Sequence, residues 1–296
     1  MTNKVLIVGS NGFVGKNISS YLHGYESINV KTSSHLINKA DLTINLDNID
    51  EQKNVLKEFN TIVFCPAVFK ESIRSKNINY DFPLKFFKHA NEAGVKKFIF
   101  LSTTLVVSEK TDSEVFKIVF KDFYKDSYSR FKAKAEKDLK KVKGPTNLII
   151  LRLSHIYNNE VNHFRGIFKF LDKLQKLKFV ILPSSQVKKS LLHIDNLNTL
   201  ILKIIYSMPI SGTFYVNDGY YYDLKQISKF VSHNSRGYKI KHLYVGLNVY
   251  KILRIFFKKK YPQFENFAEN LLFSISNTSE TFNWHPDAKL IEKIEK

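Results

Sequence analysis

Ser127-Tyr128-Ser129-Arg130-Phe131-Lys132 sets a tyrosine and a lysine four residues apart in a strongly helical stretch. That spacing stacks Tyr128 and Lys132 on one helical face. A free tyrosine, with a pKa of about 10, is a poor acid or base near neutrality. A neighbouring ammonium stabilises the phenolate, so Tyr128 could exchange a proton with a substrate hydroxyl or carbonyl. Alone, the spacing means little, because a chain with 15 tyrosines and many lysines produces it by chance. Its weight comes from what accompanies it. Phe98-Ile99-Phe100-Leu101 reads as a buried strand running into Ser102-Thr103-Thr104. A hydroxyl there either caps a local turn or holds the reacting oxygen against Tyr128.

A third group lies near the N-terminus. Gly9, Gly12 and Gly15, in Gly9-Ser10-Asn11-Gly12-Phe13-Val14-Gly15, follow the apolar run Val5–Val8 and precede a helical segment. Gly9 permits a tight turn, Gly12 lets the backbone approach a phosphate, and Gly15 lets helix and strand pack closely. The helix N-terminus then offers N–H groups and partial positive charge to a dinucleotide pyrophosphate.

The elements that must position these groups alternate. Strand-like runs at Lys4–Val8, Ser27–Lys31, Thr61–Cys65, Lys97–Leu101 and Asn147–Leu151 are separated by amphipathic stretches near Lys16–His23, Gln52–Phe59, Asn79–Ala93 and Tyr128–Val142. Such alternation implies an α/β fold, a doubly wound parallel sheet with helices on both faces and ligands beyond the strands' carboxyl ends. The second half is less regular. Phe164–Leu177 and Ile194–Tyr206 read as helices and Phe179–Leu182 as a short strand, while Val245, Val249, Leu253 and Phe256 fall on one face of a basic amphipathic helix. Such a helix either lies on an anionic membrane or buries its stripe in the core, and the core is the expectation.

Composition narrows the classes. A chain of 296 residues can bury a large domain plus a smaller lobe. No apolar run reaches the roughly 18 residues of a membrane span. The single cysteine, Cys65, rules out an internal disulfide and suits a reducing cytoplasm. The net charge of +19 favours anionic partners, but the lysines are dispersed and no nucleic-acid motif is present, so nucleic acid is not expected. No metal is called for.

The ordered set of motifs resembles the extended short-chain dehydrogenase/reductase superfamily, with its NAD-dependent nucleotide-sugar epimerases, dehydratases and reductases. Phe64-Cys65-Pro66-Ala67 stands where that family carries a His-Leu-Ala-Ala-like segment, and Asn79 where it carries an asparagine. Leu101–Val107 resembles Ser-Ser/Thr-x-x-Val-Tyr-Gly, and Leu151–Tyr157 resembles Arg-Pro-x-Asn-Val-Tyr-Gly. Ser190–Asn196 resembles the segment before the penultimate helix, and Asn283-Trp284-His285-Pro286 the Gly-Trp-x-Pro signature. The resemblance implies a Rossmann-type domain over residues 1–157 and a mainly C-terminal substrate-binding lobe over 158–296, with about 187–217 returning to the first domain. It implies Thr103, Tyr128 and Lys132 as catalytic residues. Cofactor contacts would come from Gly9, Asn11, Gly12, Phe13, Val14, Gly15, Lys31, Ser33, Cys65, Ala67, Asn79, Tyr128, Lys132 and Leu153. Substrate contacts would come from Thr103, Thr104, His155 and Lys189. A homodimer through the helices near Asn79–Ala93 and Tyr128–Val142 is also implied.

Departures from the pattern shape the expectation. The strand ending Lys31-Thr32-Ser33-Ser34 lacks the acid that binds the adenosine ribose, so NADP is favoured over NAD. Thr104-Leu105 replaces the Asp-Glu pair of sugar dehydratases, and Val107 the motif tyrosine. His155 and Lys189 replace the usual asparagine and arginine, leaving the sugar nucleotide open. The expectation is a cytoplasmic nucleotide-sugar oxidoreductase acting at the sugar 4-position, with a 4-ketoreductase favoured over a 4-epimerase. An enzyme of lipid-linked sugars at a membrane surface and a non-catalytic cofactor sensor are the rivals.

Overall fold

Both faces of the first strand, β1 (Asn3–Val8), are apolar because both are covered. Val5 and Ile7 enter one core, and Leu6 and Val8 the other. The computed structural model describes residues 2–34, 40–43, 54–69, 72–106, 127–160, 166–175, 179–183, 187–234, 241–246, 248–250, 252 and 270–289. From β1 the chain runs through α1 (Phe13–Leu22), β2 (Ile28–Ser34), β3 (Leu42–Thr43) and β4 (Thr61–Phe64). A helical stretch follows in three parts, α2 (Ile73–Lys76), a π-helical turn (Asn77–Asp81) and α3 (Phe82–Glu92). Pro83 lacks the N–H that would reach back to residue 79, and the turn before it is widened accordingly. Then come β5 (Lys97–Thr103), a 3₁₀ turn (Thr104–Val106), α4 (Ser127–Leu139), β6 (Asn147–Leu153) and β7 (His155–Tyr157). The remainder is α5 (Gly166–Gln175), β8 (Phe179–Pro183), β9 (Lys188–His193), α6 (Ile194–Tyr206), β10 (Gly212–Val216), β11 (Tyr221–Asp223), α7 (Leu224–Asn234), β12 (Lys241–Val245) and α8 (Ser276–Phe282).

The main sheet has seven strands in the order β10-β6-β5-β4-β1-β2-β3, every neighbouring pair parallel. This is the expected doubly wound α/β fold. The order reverses between β1 and β4, which opens a crevice at their carboxyl ends. Ile18 and Leu22 of α1, Leu197 and Ile201 of α6, and Phe282 of α8 fill one face of the sheet. Phe86 and Phe87 of α3 and Ala135 and Leu139 of α4 fill the other, against Phe64, Phe98 and Phe100. The outer faces of α3 and α4 carry exposed Lys85, Lys88, Arg130, Lys134 and Lys137. At the base of the sheet, buried Lys97 donates to the carbonyls of Ile204, Ile205 and Ser207, closing the C-terminal end of α6.

A three-stranded sheet, β11-β9-β7, and the parallel pair β12-β8 surround a second core of Tyr157, Phe168, Leu191, Tyr222, Phe230 and Tyr250. Here the structure corrects one expectation. Lys241–Val245 is a strand in register with Phe179–Pro183, so Val245 does not begin a helix. Val249 of the expected stripe is 51% exposed, whereas Tyr250 beside it is buried. Leu253 and Phe256 lie outside the described residues, as does Val107.

Asp218 ties the second core to the main sheet. Its carboxylate accepts the His193 N–H and Asn196 Nδ2 on Oδ1, and the hydroxyls of Tyr157 and Tyr222 on Oδ2, at 2.7–3.0 Å. Burial pushes its pKa up to about 6, against those hydrogen bonds, which favour the charged form. Asp218→Ala leaves four buried donors without their acceptor and should cost roughly 3–5 kcal/mol, read as a lower urea midpoint. Asp218→Asn keeps one oxygen and should cost less than half as much.

Candidate active site

Every chemical group singled out in the first half of the sequence sits at the carboxyl end of the main sheet or on the elements beside it. The glycine loop joins β1 to α1 with two hydrogen bonds to β2, Gly9 and Ser10 N–H donating to the Ser33 carbonyl at 3.0 and 3.3 Å. Gly9 has a φ of 80°, a left-handed conformation that glycine adopts without strain. A Cβ on Gly15 would lie 2.5 Å from the Gly9 carbonyl oxygen, so Gly15 is required by the fold itself. Gly12 differs. A Cβ there would meet only the Gly9 oxygen at 3.4 Å, an ordinary contact, and its φ of −75° suits any residue. Gly12 and Asn11 are exposed, and no side chain caps the first turn of α1 behind them. The bare backbone at Gly12 therefore faces open space, the cradle that a pyrophosphate needs. The loop fits a nicotinamide dinucleotide.

The candidate acid–base pair stands on α4. Tyr128 is 7% exposed and Lys132 only 1%, one turn further on. Lys132 Nζ donates to the Leu101 carbonyl at 2.8 Å and the Pro66 carbonyl at 3.4 Å, and lies 4.4 Å from the centre of the Phe100 ring. These three contacts fix the ammonium between β5 and the segment after β4. Burial pulls its pKa down to about 7, against the favourable influence of Cys65 and Glu136. Cys65 beside it is pushed up to about 12 by burial, which makes it an inert thiol at neutral pH.

Thr103 closes β5, with its Oγ1 accepting the Leu105 N–H at 3.2 Å. Both readings of that hydroxyl are thus compatible. It caps the turn through a lone pair, a bond that does not use the hydroxyl proton. Thr104 is also buried, at 7%.

Sequence reasoning missed the buried ion pair beneath this pair. Glu136, 2% exposed, accepts the Ser102 hydroxyl at 2.5 Å and binds the Arg152 guanidinium through both oxygens, the shortest contact being 2.7 Å. Arg152 in turn donates to the Tyr215 hydroxyl at 3.0 Å. The network joins α4, β5, β6 and β10 next to Thr103. Its signal was present, because Tyr128, Lys132 and Glu136 recur at four-residue spacing on one helical face.

Other expected contacts are placed differently. Asn79 is fully buried, and its amide is committed to the Val68 backbone and Ser75, so it holds the segment after β4 from behind. Ser33 is fully buried, which turns its hydroxyl away from any 2′-phosphate, while Lys31 is exposed. Leu153 belongs to the apolar core. Ala67 is exposed, and Phe13 and Val14 are partly buried against that core. His155 stacks on Phe168 at 5.6 Å in the second lobe. Lys189 is 3% exposed and paired with Tyr222 in strand register. An acid also reaches the end of β2 after all. Asp41 Oδ2 accepts both the N–H and hydroxyl of Thr32 at 2.7 Å, and these bonds hold its pKa below the usual carboxylate range. It comes from the start of β3, a partner that reading β2 alone does not reveal.

A family model described as the NAD dependent epimerase/dehydratase family matches residues 5–214. A UDP-glucose 4-epimerase of Vibrio cholerae is 27% identical over 310 aligned positions, covering 99% of this chain and 93% of that protein. Among solved structures, the Bordetella bronchiseptica enzyme WbmG in complex with NAD superposes with a TM-score of 0.72 at 14% identity, covering 100% of this chain and 92% of that one. The UDP-glucose 4-epimerase of Thermotoga maritima with UDP-glucose gives 0.72 at 14% identity, covering 99% and 96%.

Two outcomes follow from the geometry. Gly12→Ala should fold with an unchanged melting temperature yet bind NAD at least about tenfold more weakly, since a methyl group fills the phosphate approach. Gly15→Ala should lower the melting temperature itself. For Lys132, the unfolded chain holds the proton to about 10.5 and the folded one to about 7. The resulting destabilisation is fully present below pH 7 and fades as pH rises from 7 to 10.5. Lys132→Met should therefore raise the urea midpoint at pH 7, flatten its rise toward pH 10, and abolish turnover.

Proposed function

Because the chain belongs to the NAD-dependent epimerase/dehydratase family, we propose that it is a nucleotide-sugar 4-epimerase that keeps its nicotinamide cofactor bound. The observation that carries this reading is buried Lys132, one helical turn after Tyr128 on α4, with its ammonium on the Leu101 carbonyl near the end of β5, the strand that Thr103 closes. The 4-epimerase that aligns with 99% of the chain favours epimerisation over the net reduction expected from sequence. Asp41 favours NAD, since its carboxylate would repel a 2′-phosphate near the end of β2.

In this reading Gly9, Gly12, Gly15 and the first turn of α1 hold the pyrophosphate, and the segment Cys65–Ala67 borders the nicotinamide ribose. Bound there, the nicotinamide supplies a reversible hydride acceptor. Tyr128 takes the proton from the sugar 4-hydroxyl and returns it after the ring has presented its other face. Lys132 stabilises the phenolate of Tyr128 and fixes its position on the helix. Thr103 donates its hydroxyl proton to the reacting oxygen and so strengthens as charge develops there. Exclusion of water follows from the depth of the pair, both residues lying below one-tenth exposure.

A 4-ketoreductase is the second reading, favoured by exposed Lys31 at the end of β2. We further propose a cytoplasmic homodimer; among the described residues no helix is long and apolar enough to cross a membrane. The deciding assay incubates purified protein with UDP-glucose and, separately, UDP-galactose, and follows both sugars by chromatography. Interconversion with nicotinamide retained on the protein is expected. Tyr128→Phe should lower turnover at least about a hundredfold while binding NAD normally. Stoichiometric loss of NADPH absorbance with a 4-keto-6-deoxy sugar, and no interconversion, would establish the reductase instead.

A further inference from the structure

Phe69 is 71% exposed, on the segment that follows β4. A single exposed phenylalanine is unremarkable by itself. This one, however, lies against the acid–base residue, its ring centre 4.5 Å from that of Tyr128 with the planes inclined by 42°. Nor is the contact left to a free loop. The Val68 N–H donates to Asn79 Oδ1 at 3.1 Å, and Asn79 Nδ2 donates to the Val68 carbonyl at 2.7 Å and to Ser75 Oγ at 3.2 Å. Ser75 Oγ meets Ser127 Oγ at 3.4 Å. Asn79, Ser75 and Ser127 are all buried. A closed polar chain thus runs from the residue before Phe69 to the residue before Tyr128, so the spacing of the two rings is set by buried hydrogen bonds.

We propose that Phe69 is the platform on which the sugar ring of the nucleotide-sugar substrate lies while its 4-carbon faces Tyr128. This rests on the nucleotide-sugar reading given above. A sugar whose 4-oxygen meets Tyr128 would then have the exposed phenyl ring of Phe69 beside it. The face of a phenyl ring carries partial negative charge, which matches the C–H groups of a pyranose. Such contact is weakly directional, unlike a hydrogen bond to a particular hydroxyl. It therefore supports the ring in either of the two orientations that a 4-epimerase requires, and discriminates little between sugars that differ only at the 4-carbon.

The test measures binding of UDP-, dTDP- and GDP-glucose, and of UDP, dTDP and GDP alone, to the NAD-loaded protein by calorimetry. For the nucleotide the wild type prefers, Phe69→Ala should weaken the sugar conjugate about tenfold, roughly the worth of one aromatic contact, and leave the free diphosphate and NAD unchanged. Phe69→Tyr should keep wild-type affinity, which separates loss of the ring from loss of the fold. Equal weakening of diphosphate and conjugate, or no weakening of either, would overturn the platform while leaving the enzyme's class intact. Failure of the wild type to bind any of the six would overturn the nucleotide-sugar reading, and the platform with it.

Discussion

One ammonium group, on Lys132, constrains much of this molecule. A lysine with 1% of its surface exposed is stable only if its donors are occupied, and two carbonyls and an aromatic face occupy them. Those partners come from different places, since Leu101 and Phe100 belong to β5 and Pro66 to the segment after β4. The lysine therefore ties α4 to β5 and to the segment after β4. Its cost is visible in the lowered pKa, since burial disfavours the charged form.

Around that centre the polar groups are organised in two closed chains. Ser102, Glu136, Arg152 and Tyr215 join four elements under Thr103. Val68, Asn79, Ser75 and Ser127 join the segment after β4 to the start of α4. Both chains terminate beside a residue of the site without supplying that residue. They hold the backbone neighbours of Thr103 and Tyr128, Ser102 and Ser127, through buried hydrogen bonds. The π-helical turn belongs to the second chain, since Asn79 lies within it and Pro83 follows.

The parts of this arrangement legible in the sequence were those set by local period. Strands at Lys4–Val8, Thr61–Cys65 and Lys97–Leu101 were readable because both faces are buried and each run is apolar after its first residue. The α4 helix and the stacking of Tyr128 on Lys132 followed from spacing alone. Contacts across the sheet were not readable. Asp41 reaches Thr32 because β3 lies beside β2 in register, and no rule of spacing links those two positions. The helix expected from Val245 begins later for a similar reason, because Val245 is held in the strand that pairs with β8. Asn79 was found in the right place with the wrong contact, since its identity is visible in sequence and its partners are not.

The lysine and arginine side chains on the outer faces of α3 and α4 carry a consequence for how copies of this chain could meet. Two protomers joined through those helices would bring Lys85, Lys88, Arg130, Lys134 and Lys137 of each toward their counterparts. The repulsion between such faces reaches about 8 Å at physiological ionic strength and about 30 Å in dilute buffer. For an assembly built that way, dissolved salt would be a structural variable. An assembly built on that face would tighten as counterions are added, the opposite of the behaviour of one built on salt bridges.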